Sequence, residues 1–222
     1  MKALLFEEHG PLSNLRYVED FPKPDAGAGE CLVRVHAVAL NGFDPMILNG
    51  IPGLKIPLPM IPGGDIAGEI AALGAGVDAG AWRVGQRVSI MPLCPPKMIG
   101  ETLRGGCCEY IAVPASNVLP IPDGVSYEEA AALPVAYGTA HRMMVTRGRV
   151  RRGESVLILG ATGGVGTCCV QLAKEAGAEV VACGGSQAKT RRLQALGADH
   201  VIDTSTQDFV EEVLRLYGKP RV

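Results

Sequence analysis

The sequence predicts an α/β chain: a mostly β N-terminal part, then the first half of a doubly wound parallel sheet. Three observations predict it. Ser155-Val156-Leu157-Ile158-Leu159 runs into the glycine-dense Gly160-Ala161-Thr162-Gly163-Gly164-Val165-Gly166, which is a short buried strand, a tight turn and a helix start. Beyond it, helical and extended patterns alternate to the end of the chain, the signature of parallel strands joined by right-handed crossovers. Before it, Pro and Gly are frequent and apolar runs are short, as in a β domain such as a partly open barrel.

Within the first 123 residues, Met1 to Phe6 reads as a strand and Pro22-Lys23-Pro24-Asp25-Ala26-Gly27 as a loop. Cys31 to Val38 alternates Arg34 and His36 with Val33, Val35 and Ala37, the two-residue period of a strand. Ile66 to Leu73, Arg87 to Met91 (after a turn at Gly85) and Tyr110 to Pro114 are further strands. Pro120-Ile121-Pro122-Asp123-Gly124 marks a boundary, giving domains at 1–123 and 124–222. Ser126 with Glu129 three residues on is a capping box opening an Ala-rich helix, Tyr127 to Leu133.

After the glycine turn, Val170, Ala173 and Ala176, with Cys169 and Leu172, make the apolar face of a helix ended by Gly177. Glu179 to Cys183 is a second strand, Ser186 caps a helix carrying Leu193 and Leu196 and closed by Gly197, and His200 to Asp203 is a third strand. Asp208 to Tyr217 is helical through Phe209, Val210, Val213, Leu214 and Leu216.

The turn also carries chemistry. Small residues let the backbone approach a ligand, and the helix start presents unpaired N–H groups and a positive dipole end to an anion, typically a dinucleotide pyrophosphate. The spacing is Gly160-x-x-Gly163-x-x-Gly166, with Ala161-x-Gly163-x-x-Gly166 inside it; neither is the strict form, so the surrounding strand–helix alternation supplies the confirmation. The expected contacts are Gly160, Gly163, Gly164, Val165 and Gly166.

Composition excludes other classes. A formal net charge of −2 over 222 residues gives no case for nucleic acid or an anionic membrane as partner. The start has no signal-peptide run, and no stretch approaches a membrane span. The seven cysteines read as reduced thiols in a cytoplasmic protein, with Cys31, Cys168, Cys169 and Cys183 in the core. His9, His36, His141 and His200 have no partner that would make any of them a general base.

Several motifs in order carry a resemblance. They are Ala39-Leu40-Asn41-Gly42-Phe43-Asp44, Ile61-Pro62-Gly63-Gly64-Asp65-Ile66-Ala67-Gly68-Glu69-Ile70, Val84-Gly85-Gln86-Arg87-Val88, Gly105 to Pro114, Tyr137-Gly138-Thr139-Ala140 and the glycine turn. Together they resemble the medium-chain dehydrogenase/reductase superfamily, above all its quinone oxidoreductase-like and zinc-type alcohol dehydrogenase-like members. The resemblance implies a chaperonin-10-like β domain followed by a Rossmann domain, first half only, with the active site in the cleft between them.

It also implies where zinc ligands would stand. The family's Cys falls on Asn41, its His on Gly64, its acid on Asp65 and its third ligand near Ala131. An amide and one carboxylate do not make a tetrahedral nitrogen/sulfur site, and of the four-cysteine structural lobe only Cys94, Cys107 and Cys108 remain. No zinc is expected. The cofactor is NADP(H) rather than NAD(H): the second strand ends Cys183-Gly184-Gly185-Ser186 without an acid, and Lys189, Arg191 and Arg192 follow. The resemblance assigns Gly185 and Lys189 to the 2′-phosphate, and Ser186 and Arg191 complete the expected set; the three cations also read as the solvated face of a helix.

Without metal, the resemblance implies hydride transfer from NADPH to a quinone, enone or other activated double bond. Asn41 is placed to hydrogen-bond a carbonyl oxygen, Asp44 as a turn residue, and Tyr137 beside the nicotinamide; no residue stands out as proton donor. The expected partners are a small-molecule substrate and a second copy, as a dimer. The chain stops at Gly218-Lys219-Pro220-Arg221-Val222, where a fourth strand should begin, leaving Val156–Leu159 as an open edge. That reads as a fragment of a longer enzyme, or as a short chain acting as a non-catalytic dinucleotide-binding or strand-pairing module. A zinc-type alcohol dehydrogenase relative is the remaining alternative.

Overall fold

The structure, a computed structural model, describes residues 1–218. The expectation that the chain ends where a fourth strand should begin falls on 219–222 and lies outside the described residues. The first unit holds β1 (Ala3–Leu5), β2 (Arg16–Val18), β3 (Glu30–Ala39), α1 (Asp44–Asn49), β4 (Asp65–Leu73), β5 (Arg87–Ile90), β6 (Leu93–Cys94), β7 (Lys97–Met98), β8 (Tyr110–Pro114), β9 (Val118–Pro120) and α2 (Tyr127–Ala131). Then come α3 (Pro134–His141), a π-type turn over Arg142–Arg147, β10 (Ser155–Ile158), α4 (Gly164–Glu175), β11 (Glu179–Gly184), α5 (Gln187–Ala195), β12 (His200–Asp203) and α6 (Phe209–Tyr217). Among the described residues no helix is long and apolar enough to cross a membrane.

The first unit is built on a five-stranded antiparallel sheet, in the order β8-β3-β4-β5-β9. The alternation read in β3 is present: Arg34 and His36 are exposed while Val33 is fully buried, packed with Ile66, Ile70, Val88, Ile90 and Val113. Register shifts between Leu32 and Val33 and between Val35 and Ala37 bend the strand. Strands β2, β6, β7 and β9 have no counterpart in the sequence pattern, since two or three residues carry no periodicity.

Helix α2 opens on the expected capping box. The Ser126 hydroxyl accepts the Glu129 N–H at 3.1 Å, and the Glu129 carboxylate accepts the Ser126 N–H at 2.8 Å. Ser126→Ala should therefore cost about 1 kcal/mol, read from chemical denaturation. The helix ends at Ala131, short of the expected Leu133, because Pro134 disfavours helical geometry at the residue before it. A new helix starts at that proline.

The chain divides into compact units at Met1–Val135 and Ala136–Val222, later than the expected 123/124. The physical reason is α2. Its Ala130 and Ala131 are buried against Ala67 and Ile121 of the β unit, and the Ser89 hydroxyl donates to the Ala130 carbonyl at 3.3 Å.

The second unit is a three-stranded parallel sheet, β10-β11-β12, with helices on both faces. Cys169, Val170 and Ala173 of α4 and Leu193 of α5 pack with Val180 and Ala182 on one face. Phe209, Val213 and Leu216 of α6 pack with Val181, Cys183 and Ile202 on the other. This is the layered arrangement of half a doubly wound fold. Cys31, Cys168, Cys169 and Cys183 are buried free thiols. The open edge expected at Val156–Leu159 is present, and one expectation is corrected: β10 is not a buried strand. Among the described residues it pairs with β11 alone, and Leu157 and Leu159 are 40% and 57% exposed. An edge strand with one neighbour leaves those side chains without a covering layer.

Candidate functional site

The glycine turn of the second unit has the geometry of an anion site. Gly160 takes φ +62°, a left-handed conformation that favours glycine, and its carbonyl accepts the Gly163 N–H at 3.0 Å. Gly163 is the N-cap of α4, and no side chain caps that end. The Thr167 N–H closes back on the Gly163 carbonyl at 2.9 Å. The N–H groups of Gly164, Val165 and Gly166 are thus the orphan donors of the helix start. Gly166 allows the crossing itself: a Cβ there would stand 2.3 Å from the Gly160 oxygen and 2.7 Å from Ala161 Cα.

At the end of β11, Gly185 is exposed and the Ser186 hydroxyl accepts the Lys189 N–H at 3.4 Å, capping α5. Lys189, Arg191 and Arg192 are exposed and unpaired with any carboxylate among the described residues. One acid stands near: Asp203 of β12 is in register with Gly184, and its carboxylate accepts the Ser205 N–H at 3.0 Å and hydroxyl at 2.5 Å. Tyr137 donates from its hydroxyl to the Gln171 side-chain amide oxygen (Oε1) at 2.8 Å, and burial, with Cys168 beside it, pushes its phenol up.

A second cluster lies in the first unit. Asp44 is buried, and its carboxylate accepts the Asn41 N–H at 2.6 Å and the Gly63 N–H at 3.1 Å, tying two loops together. That geometry is a turn-holding one. Burial pushes its carboxyl up against those two N–H groups. The Asn41 side-chain amide donates to Asp65 at 2.9 Å, and both Asp65 oxygens lie within reach of the Val135 N–H, at 3.0 and 3.3 Å. Asp65 is 1% exposed, and burial pushes its carboxyl up to about 6. Sequence reasoning missed the pairing of Asp65 with Asn41 and Val135. Its signal was an acid inside the apolar run from Ile61 to Ile70.

The donor set does not suit zinc. The Asn41 amide is engaged with Asp65. At Gly64, where the family's His would stand, a Cβ would meet the Ile99 carbonyl oxygen at 2.8 Å. Ala131 offers only a buried methyl. Among the described residues no group of three or more His, Cys, Asp or Glu converges. Two histidines gain partners: His9 Nδ1 lies 3.1 Å from the Ile47 carbonyl, and His200 Nε2 lies 3.0 Å from Glu179. His36 stacks on Tyr127 at 4.4 Å between ring centroids.

Residues 27–123 match the alcohol dehydrogenase GroES-like domain family, and residues 164–222 match the zinc-binding dehydrogenase family. Quinone oxidoreductase of Rattus norvegicus is 30% identical over 213 residues, covering 96% of this chain and 61% of that protein. The 2-methylene-furan-3-one reductase of Solanum lycopersicum is 35% identical over 211 residues, covering 94% of this chain and 53% of its own. A crystal structure described as an NAD-dependent alcohol dehydrogenase superposes with a TM-score of 0.91 at 36% identity, over 98% of this chain and 68% of that one. The chain thus spans less than two thirds of the length of the two enzymes it is compared with by sequence. Two family models in their usual order, the β unit ahead of the parallel one, and a solved relative matched along nearly the whole chain leave one assignment: the chain belongs to the medium-chain dehydrogenase/reductase superfamily.

Proposed function

We propose that this chain is part of an NADP(H)-dependent oxidoreductase that reduces a quinone, an enone or a similar activated double bond without a catalytic zinc. The observation that carries the reading is the acid-free end of β11, where Gly185 and Ser186 are followed by the exposed cations Lys189 and Arg191. An acid there accepts hydrogen bonds from a ribose 2′-hydroxyl and repels a 2′-phosphate; small residues and cations do the reverse. The bound nucleotide supplies the hydride. The chain's own residues hold it: Gly160, Gly163, Gly164, Val165 and Gly166 by the open helix start, and Gly185, Ser186, Lys189 and Arg191 at the phosphate.

On the substrate side, Asn41 is the residue assigned to a carbonyl oxygen. Its amide donates one N–H to Asp65, so the second N–H of the same nitrogen remains as donor. The names of the rat and tomato relatives, a quinone oxidoreductase and a 2-methylene-furan-3-one reductase, support the substrate class.

The test is titration with NADPH and NADH, followed by nucleotide fluorescence. NADPH should bind at least about tenfold more tightly, and Lys189→Gln with Arg191→Gln should remove most of that difference while sparing NADH. Equal affinities, or tighter NADH, would overturn the reading; so would stoichiometric zinc in the purified protein. A second reading, NAD dependence, is favoured by the description of the alcohol dehydrogenase structure and by Asp203 in register beside Gly184. The same titration decides between them.

A further inference from the structure

The first unit contains a cavity of about 740 Å³ that involves neither the glycine turn nor Asn41, Asp44 or Asp65. Phe21, Pro24, Ile61, Leu103, Ile111 and Val113 are among the residues that line it. Its volume is within the range of small-molecule sites, and its walls are largely apolar, as such sites are. Two cations stand on it. Lys23 Nζ lies 3.8 Å from the centroid of the Tyr110 ring, and Arg104 Cζ lies 5.5 Å from that of Phe21. Neither is paired with a carboxylate among the described residues. The rings hold these charges in place without neutralising them.

The wall also carries one carboxylate, a thiol and the chain's amino group. Glu30 is turned into its own loop, where its carboxylate accepts the Gly27 N–H at 3.0 Å. The Cys108 thiol donates to the Tyr110 carbonyl at 3.2 Å, and burial holds it neutral, up at about 12. The Met1 ammonium donates to the Phe21 carbonyl at 2.6 Å. The wall therefore combines a long apolar surface with three positive charges, those of Lys23, Arg104 and the Met1 ammonium, against the single carboxylate of Glu30.

We propose that this cavity binds a small amphipathic acid, an apolar body carrying one carboxylate, with Lys23 and Arg104 receiving the carboxylate. The Arg104 Nε donates to the Pro59 carbonyl at 3.0 Å, which leaves the two terminal nitrogens of the guanidinium as donors for an acid. The site is independent of the nucleotide turn and of the proposed reaction.

Calorimetric titration of the full chain with decanoate and with decanol tests it, alongside Lys23→Gln with Arg104→Gln and alongside Ala112→Phe. Both cations are exposed, so the charge variant should melt as the parent does; Ala112 lines the cavity on β8, and a phenyl ring there fills it. Decanoate should bind about tenfold or more tightly than decanol, the charge variant should erase that difference, and Ala112→Phe should abolish binding of both. NADPH binding should be unchanged in both variants. Equal binding of decanoate and decanol, decanoate binding that survives in the charge variant, or no decanoate binding to the parent would overturn the proposal. A dimer that Ala112→Phe breaks would assign the cavity to a second copy of the chain, and would overturn it too.

Discussion

Gly166→Val is expected to abolish NADPH binding and to cost about 2 to 4 kcal/mol of stability. The added Cβ would stand 2.3 Å from the Gly160 carbonyl oxygen and 2.7 Å from Ala161 Cα, both backbone atoms. No side chain can swing aside to relieve this. Ala161 is fully buried, and its N–H is bonded to the Cys183 carbonyl at 3.2 Å, so the turn is held from beneath by β11. The helix start must then move away from the strand, which misdirects the N–H groups of Gly164 and Val165. Gly164→Ala is the matching control: its new methyl meets only Ala136 Cβ, at 3.9 Å. It should melt within about 0.5 kcal/mol of the parent. Thermal melting and nucleotide fluorescence on the two variants separate a steric requirement at Gly166 from a general intolerance of side chains in the turn.

Asp65→Ala should cost roughly 1 to 3 kcal/mol, because the half-buried Val135 N–H and Asn41 amide lose the acceptor they share. Asp65→Asn should behave in the opposite sense near neutral pH. Burial raises the Asp65 carboxyl from its ordinary 3.8 to about 6 in the folded chain. A carboxyl that holds its proton to higher pH when folded stabilises the fold fully below the unfolded value. That contribution is lost as pH rises through the folded value. The parent should therefore lose up to roughly 3 kcal/mol between these two pH values. The raised Asp44 carboxyl has the same sign. Asp65→Asn keeps an oxygen for the Val135 N–H, and the Asn41 amide turns over to offer its own oxygen. Its denaturation midpoint should vary less with pH over that window, and above pH 6 it should exceed the parent's. A parent stability that rises with pH across the window would refute this account of Asp65.

A carboxylate that weakens the fold at neutral pH calls for a reason. The geometry supplies one: Asp65 fixes the orientation of Asn41 and holds the first turn of α3, at the last residue before the unit boundary. Loss of reductase activity in Asp65→Asn, with the fold strengthened and NADPH binding unchanged, is the result expected if Asn41 positions the substrate carbonyl.

Much was legible in the residues alone. The parallel half was readable because each element carries its own period and stop signal: Val170 and Ala173 at helical spacing, Gly177 at φ +78°, Ser186 as a cap. Such signals are local, and local physics forms them wherever the chain goes. The capping box of Ser126 and Glu129 and the burial of Cys168, Cys169 and Cys183 were readable for the same reason. The helix restart at Pro134 was not read from the sequence, where the Ala-rich helix simply ends at Leu133.

What only the tertiary structure decided is relational. The open edge at Val156 to Leu159 was expected from the order of the strands, but the exposure of the Leu157 and Leu159 side chains was not, since an apolar run reads as buried whether one neighbour is present or two. The boundary at Val135 depends on α2 finding Ala67 and Ile121, and Ala67 lies far from it in sequence. The same holds for the site. Asn41 and Val135 lie 24 and 70 residues from Asp65, and only the packing of β4 beside the loop before α1 brings one carboxylate to both partners. The sequence determined the elements, their order and the chemistry of the glycine turn, because those are set by neighbours along the chain; the partners of Asp65, the exposure of the Leu157 and Leu159 side chains and the charged apolar cavity came from long-range packing, which no local pattern encodes.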